Sequence, residues 1–137
     1  MKIIIFSGVD GSGKSTIKKR LEEKLKYKYI CLDRFSDSII YDRIYNRGDR
    51  EKEFLKLEDK LNKNFDIYLV YCYADITTIL KRINMKKEKK DILNNIYIAM
   101  MLYNDYLKKT KFRYIKINTG KYDVDKCVEK IIKFVEK

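Results

Sequence analysis

Gly8-Val9-Asp10-Gly11-Ser12-Gly13-Lys14-Ser15-Thr16 is the stretch on which the reading of this chain turns. It satisfies G-x-x-x-x-G-K-[ST], a loop whose backbone N–H groups face phosphate oxygens. Glycines at 8, 11 and 13 let the chain curl tightly enough to aim those groups inward. A helix starting at the end of the loop adds its partial positive charge. Lys14 can bridge the β- and γ-phosphates of a nucleoside triphosphate, and the Ser15 hydroxyl can hold a magnesium ion that otherwise keeps much of its water. The candidate cofactor-binding residues are therefore Gly8, Asp10, Gly11, Ser12, Gly13, Lys14, Ser15 and Thr16. The competing reading is a glycine-rich turn with no ligand.

The motif needs a strand before it and a helix after it, and the sequence predicts both. Residues 2–7 are a β-branched run ended by glycine, and Ile17, Leu21 and Leu25 recur at helical spacing over 15–26. Further strands are predicted over 27–32, 66–73 and 113–118, and helices over 36–46, 51–62, 75–84, 89–108 and 124–135. Ser36 is the expected cap of the first of these helices, while Gly48 and Gly120 mark turns. In the long helix Ile92, Ile96, Met100, Tyr103 and Leu107 share the inward face. Continuously apolar strands that alternate with helices imply a parallel sheet covered on both sides. With 137 residues, no internal period and no linker rich in Pro, Gly or Ser, the chain reads as a single domain over 1–137.

The composition, 45% hydrophobic and 38% charged, supplies a core and a solvated surface and excludes a disordered chain. Its apolar runs are far shorter than the roughly 20 residues of a membrane span, and the early glycine loop does not fit a signal peptide. Cys31, Cys72 and Cys127 are odd in number and widely spaced, and the chain has no histidine. That excludes a His/Cys zinc site, argues against a disulfide framework and predicts a reducing, cytoplasmic compartment. Lys plus Arg is 32 against 20 acidic residues, a net charge of +12 that suits phosphate-rich partners, either nucleotides or nucleic acid. Because 25 of those 32 are lysines in a chain also crowded with Ile, Asn and Tyr, the alternative is the bias of an AT-rich coding sequence. The densest basic run, 81–90, carries +5 between two helices, and a solvated surface is its plain reading.

The second strand ends in Asp33-Arg34. Ligands of parallel sheets gather outside the carboxyl ends of strands near the topological switch point, where Asp33 would face the magnesium and Arg34 the transferred phosphoryl group. A surface salt bridge is the alternative. Together these residues resemble the thymidylate kinase and deoxynucleoside kinase group of P-loop kinases. The loop carries Asp10 two residues after its first glycine, and Asp33-Arg34-Phe35 is followed by Ser38 and Tyr41. The run Asp66-Ile67-Tyr68-Leu69-Val70, Asp75 and Leu80-Lys81-Arg82-Ile83 is similar to the strand, helix and arginine before that family's lid.

The resemblance implies a P-loop NTPase fold: a three-layer α/β sandwich around a short parallel sheet of about four strands in the order 2-1-3-4. It implies phosphoryl transfer from ATP, with Mg2+, to a nucleoside or nucleoside monophosphate. Lys14, Asp33, Arg34 and Arg82 would be catalytic, Ser15 and Asp33 would hold the metal, and a basic lid over 82–90 would close on the phosphates. Asp10 would approach the acceptor, the loop after Asn118 would lie near adenine, and a homodimer is a further expectation.

Two features depart from the family pattern. Asp33 lies only 19 positions after Lys14, where the family inserts a strand and the helices of its acceptor pocket. Tyr41-Asp42 falls one residue early and carries Asp in place of Gln, so thymine readout does not carry over. The acceptor-binding candidates are Asp10, Phe35, Ser38, Tyr41 and Arg47, with Tyr45 and Phe54 as further stacking groups and Arg43 and Arg50 as further phosphate ligands. Each aromatic has core or surface packing as its alternative. A hydroxyl acceptor requires a carboxylate to take its proton, and Asp10, Asp33 and Asp37 are available, whereas a monophosphate requires none. The leading reading is a deoxynucleoside or deoxynucleotide kinase. A polynucleotide 5′-hydroxyl kinase and a nucleotide-binding protein without turnover are the others.

Overall fold

The computed structural model describes residues 2–26, 28–33, 35–45, 49–83 and 89–136. The order of elements is β1 (Lys2–Ser7), α1 (Lys14–Lys24), β2 (Ile30–Asp33), α2 (Asp37–Tyr45), α3 (Glu51–Asn64), β3 (Asp66–Tyr73), α4 (Ile76–Ile83), α5 (Lys89–Lys109), β4 (Arg113–Asn118) and α6 (Val124–Val135). The strands form one parallel sheet in the order β2-β1-β3-β4, as expected. β1 and β3, the most continuously apolar strands, take the centre, where both faces are covered.

Alternation along β1 divides the core. Ile4 and Phe6 point to the side covered by α1 and α6, where they meet Leu21, Val70, Val128 and Ile131. Ile3 and Ile5 point to the opposite side, against Ile39, Ile40, Leu69, Tyr103 and Tyr106, contributed by α2, β3 and α5. A smaller cluster of Ala74, Ile79 and Ile96 joins α4 to α5. Burying one such aliphatic side chain contributes about 1.5–3 kcal/mol.

Two local expectations change. β2 starts at Ile30 because α1 runs into a turn: Lys26 is left-handed at φ 52°, and the Lys28 N–H donates to Leu25 O at 3.1 Å. Tyr27, expected to begin that strand, lies outside the described residues. Ser36 does not cap α2 with its side chain; its hydroxyl is buried and paired with the Tyr106 hydroxyl at 2.8 Å. Pairing across the fold satisfies the hydroxyl where solvent cannot reach it.

In this strand order the winding reverses between β1 and β3, so the crevice at the carboxyl edge opens beside the loop that follows β1. The glycine loop therefore occupies the switch point. The end of β2 lies one strand further out.

Candidate active site

β1 delivers the chain to Gly8 at φ 149°, where an added Cβ would collide with the Cys72 carbonyl oxygen. Gly13 at φ 88° is the residue from which α1 starts, and its carbonyl accepts the Ile17 N–H at 3.1 Å. Both positions need glycine for backbone reasons, and together they turn the loop around the first residues of α1.

Lys14, in the first turn of α1, does not reach freely into solvent. Its ammonium donates to the Gly8 carbonyl at 2.7 Å and pairs with the Asp37 carboxylate. Asp37, at the start of α2, is a hub. Its Oδ1 also accepts from the Ser7 hydroxyl at 3.2 Å, from the Gly8 N–H at 3.3 Å and from the Tyr103 hydroxyl of α5. Burial and the Asp37 charge push the Tyr103 phenol well above its ordinary range, so it stays a proton donor to that carboxylate. Four donors from three segments thus fix one carboxylate beside the loop lysine.

Two cavities meet here. The larger, of about 1130 Å³, lies between the loop, α2, α3 and α5 and is lined by Asp37, Ser38, Asp42, Phe54, Ile96 and Tyr103 among others. The smaller, of about 450 Å³, lies on the other side of the loop against Ser15, Thr16, Arg82, Thr119 and Tyr122. Val9, Asp10 and Lys14 line both. The loop is therefore a wall shared by two compartments.

The remaining sequence candidates fall into distinct places. Ser15 and Thr16 are exposed at the smaller cavity, while Ser12 is buried with a hydroxyl that has no partner among the described residues. Arg82 spans the outer side of the loop: its guanidinium donates to Gly11 O at 3.1 Å, to Thr119 Oγ1 at 2.7 Å and to Thr119 O at 2.7 Å. Thr119 in turn donates to Ser12 O at 2.5 Å, so α4 and the end of β4 hold the loop through one threonine. Asp33 lines neither cavity; its carboxylate lies 3.7 Å from the Lys18 ammonium, and its side chain is 42% exposed. That follows from the strand order, which sets β2 one position away from the switch point.

Ser38, Tyr41, Arg50 and Phe54 line the larger cavity, the Arg50 guanidinium lying 5.2 Å from the Phe54 ring centroid. Phe35 instead packs against Phe112 with ring centroids 6.1 Å apart and lines neither cavity. Arg43 is engaged by Asp105 and Glu51. Arg34, Arg47 and residues 84–88 of the expected lid lie outside the described residues, as does the side chain of Tyr45. Tyr103 and Thr119 carry no motif in the sequence. The helical spacing of Tyr103 marks it only as inward-facing, and nothing local distinguishes Thr119.

No protein-family model and no curated protein matches the chain. Similar folds occur among solved structures. The YorR protein of Bacillus subtilis, in complex with phosphorylated GDP, is 22% identical with a TM-score of 0.78, the match covering 98% of this chain and 95% of that one. A deoxyadenosine kinase of M. mycoides with bound dATP is 19% identical over 100% of both chains, at a TM-score of 0.64. A shikimate kinase from Bacteroides thetaiotaomicron is 13% identical over 100% of this chain and 99% of that one, at a TM-score of 0.55. At these identities the likeness establishes the fold alone, the α/β arrangement around a parallel four-stranded sheet in the order β2-β1-β3-β4. Among the described residues, no helix is long and apolar enough to cross a membrane.

Proposed function

We propose that this chain is a small nucleoside or nucleotide kinase that transfers the γ-phosphoryl group of ATP to a deoxynucleoside or deoxynucleoside monophosphate. The observation that carries this reading is that Asp10 and Lys14 line both cavities, so a donor in the smaller one and an acceptor in the larger one would meet at the phosphate loop. Phosphoryl transfer needs that arrangement, because its barrier is lowered mainly by in-line positioning and by charge aimed at the equatorial oxygens. The neighbouring folds lend further support: one protein holds phosphorylated GDP and another is a deoxyadenosine kinase.

In this reading Lys14 exchanges its Gly8 and Asp37 partners for the β- and γ-phosphates. Asp37 then keeps Ser7, the Gly8 N–H and Tyr103 as donors, and its second oxygen is free to take the proton of an acceptor hydroxyl. A carboxylate held at that point favours a hydroxyl acceptor, since an acceptor phosphate would bring like charge against it. The donor set fits magnesium. The exposed Ser15 hydroxyl lies at the smaller cavity, where it offers one oxygen ligand. That suits an ion that takes one or two protein ligands and arrives with the triphosphate. When bound, it would supply positive charge to the bridging phosphate oxygens.

The test is labelled-phosphate transfer from ATP to deoxynucleosides, their monophosphates and 5′-hydroxyl oligonucleotides, assayed in parallel. Transfer to a mononucleoside or mononucleotide is expected, with Lys14→Ala lowering the rate by about 10³-fold or more. Transfer to oligonucleotides alone, or to no acceptor, overturns the proposal.

A further inference from the structure

Charge is arranged differently along the outer edge of the sheet than over the rest of the surface. β4 is an edge strand, so one side of its backbone has no neighbouring strand. A groove of about 460 Å³ follows that side into the turn beyond Asn118 and is closed by α6. Lys116, Lys121, Lys130 and Lys133 line it, and no acidic side chain does among the described residues. Apart from Asn118 the rest of the lining is aromatic or aliphatic, with Tyr73, Tyr122 and Phe134 half-buried in it.

Several other surface lysines stand beside carboxylates: Lys18 beside Asp33, Lys63 beside Asp59, and Lys109 beside Glu51 and Asp105. In the groove Lys133 has such a partner, Glu129 at 3.4 Å. The other three are steadied by neutral groups. Lys116 lies 5.3 Å from the Tyr73 ring centroid and donates to Asn104 Oδ1 at 3.4 Å. Lys121 and Lys130 lie 5.3 Å and 4.5 Å from the Tyr122 centroid. A ring face attracts an ammonium through its quadrupole and leaves the charge uncancelled. Lys116 reaches α5 on one side of the sheet, whereas Lys130 and Lys133 stand on α6 on the other. The strand edge is therefore flanked by cations from both sides, with aromatic rings between them.

That arrangement fits a flexible chain that carries one negative charge per repeat and a flat ring beside it. A single strand of nucleic acid has both. An acidic peptide has the charge without the rings, and a duplex keeps its bases stacked inside. We infer that the groove along the outer edge of β4 is a binding site for single-stranded nucleic acid, its four lysines on the phosphates and its bases against Tyr73 and Tyr122. The groove shares no lining residue with the larger cavity, so the strand is a bound ligand and not the phosphoryl acceptor. The inference stands apart from the kinase reading.

The experiment is fluorescence anisotropy of a labelled oligothymidylate of about 12 nucleotides, titrated with the full chain at several salt concentrations. Four phosphate contacts predict a slope of log K against log salt of about −3, or roughly 50-fold weaker binding at about 200 mM than at about 50 mM salt. The chain as a whole carries +12, so net attraction has to be separated from the groove. Changing Lys116, Lys121, Lys130 and Lys133 together to Gln should weaken binding by about 10-fold or more at the lower salt and remove most of the slope. Changing Lys19, Lys24, Lys56 and Lys60 to Gln removes the same charge from exposed positions on α1 and α3, and should weaken binding by less than about 2-fold. Equal losses in the two variants overturn the inference. So does failure of the unaltered chain to bind, or binding of polyglutamate or of a duplex as tight as that of the single strand. Ultraviolet cross-linking of a bromouracil-substituted strand to the unaltered chain needs no variant to fold. Adducts are expected on Tyr73 or Tyr122, and adducts confined to residues outside the groove overturn the inference.

Discussion

The two faces of the sheet are built from different materials. Towards α1 and α6 the core is almost wholly apolar, with Ile4, Phe6, Leu21, Val70, Val128 and Ile131 all fully buried. Towards α2, α3 and α5 the same depth of core holds Tyr71, Tyr103 and Tyr106, together with Ser36 and the Glu58 carboxylate. The first face stabilises by area removed from water, which is tolerant of detail. The second works only if each polar group finds its partner, and those partners converge on the cleft: Ser7 and Tyr103 hold Asp37, while Tyr106 and Ser36 tie the start of α2 to α5. Apolar burial holds the sheet, and hydrogen bonding aims the site.

That contrast can be broken by substitution. The largest effect is expected for Asp37→Asn on the polar face. Under the proposed mechanism it should lower the phosphoryl-transfer rate to a hydroxyl acceptor by about 10²- to 10⁴-fold, read from single-turnover kinetics, with secondary structure unchanged by circular dichroism. Leu21→Ala on the apolar face should do the reverse: a loss of about 2–5 kcal/mol in urea unfolding, with the rate per folded molecule unaltered. Equal effects of the two variants on rate would remove the distinction between the faces.

Smaller effects sharpen it. Glu58→Gln keeps the shape but replaces the charged acceptor by a neutral amide, whose N–H group obliges the Tyr106 hydroxyl to turn from donor to acceptor, and about 1–3 kcal/mol of stability should be lost in the same unfolding assay. The pH dependence gives the last contrast. Burial above all pushes the Tyr71, Tyr103 and Tyr106 phenols up, and the Cys72 thiol up to about 12. These groups stay protonated in the folded chain, whereas in the unfolded chain the thiol ionises near about 8.5 and the phenols near about 10. The unfolded state therefore binds fewer protons above those values, so stability is full below them and falls as pH rises through the alkaline range. Urea midpoints at about pH 8, 10 and 11 should fall in that order, and Tyr103→Phe should flatten the decline because three of the four groups belong to the polar face. A midpoint that is constant with pH would contradict this assignment.

How much of this is legible in the sequence differs between the same two faces. Residues 2–7, 66–73 and 113–118 announce themselves as strands, and the observed β1, β3 and β4 have those bounds. Binary pattern and turn residues are local, so the apolar core can be read along the chain. The start of β2 was not legible, because a left-handed Lys26 has no local signature. In the candidate site, the loop motif from Gly8 to Ser15 is contiguous, but Asp37 lies 23 residues from Lys14 and Tyr103 lies 66 from Asp37. Asp33 and Asp37 are both carboxylates after the second strand, and sequence order alone does not rank them.

The alternation of strands and helices, the apolar core, and a glycine loop with its lysine and hydroxyl at fixed offsets are all written along the chain. These are properties of periodicity and of a short contiguous segment, where neighbours in the chain are neighbours in space. Folding brings Asp37 rather than Asp33 to Lys14, makes the loop a wall between two cavities, and leaves Asp42 with an oxygen that has no partner among the described residues. Each of those depends on the order of strands in the sheet and on which helix covers which face, and burial then turns that placement into chemistry.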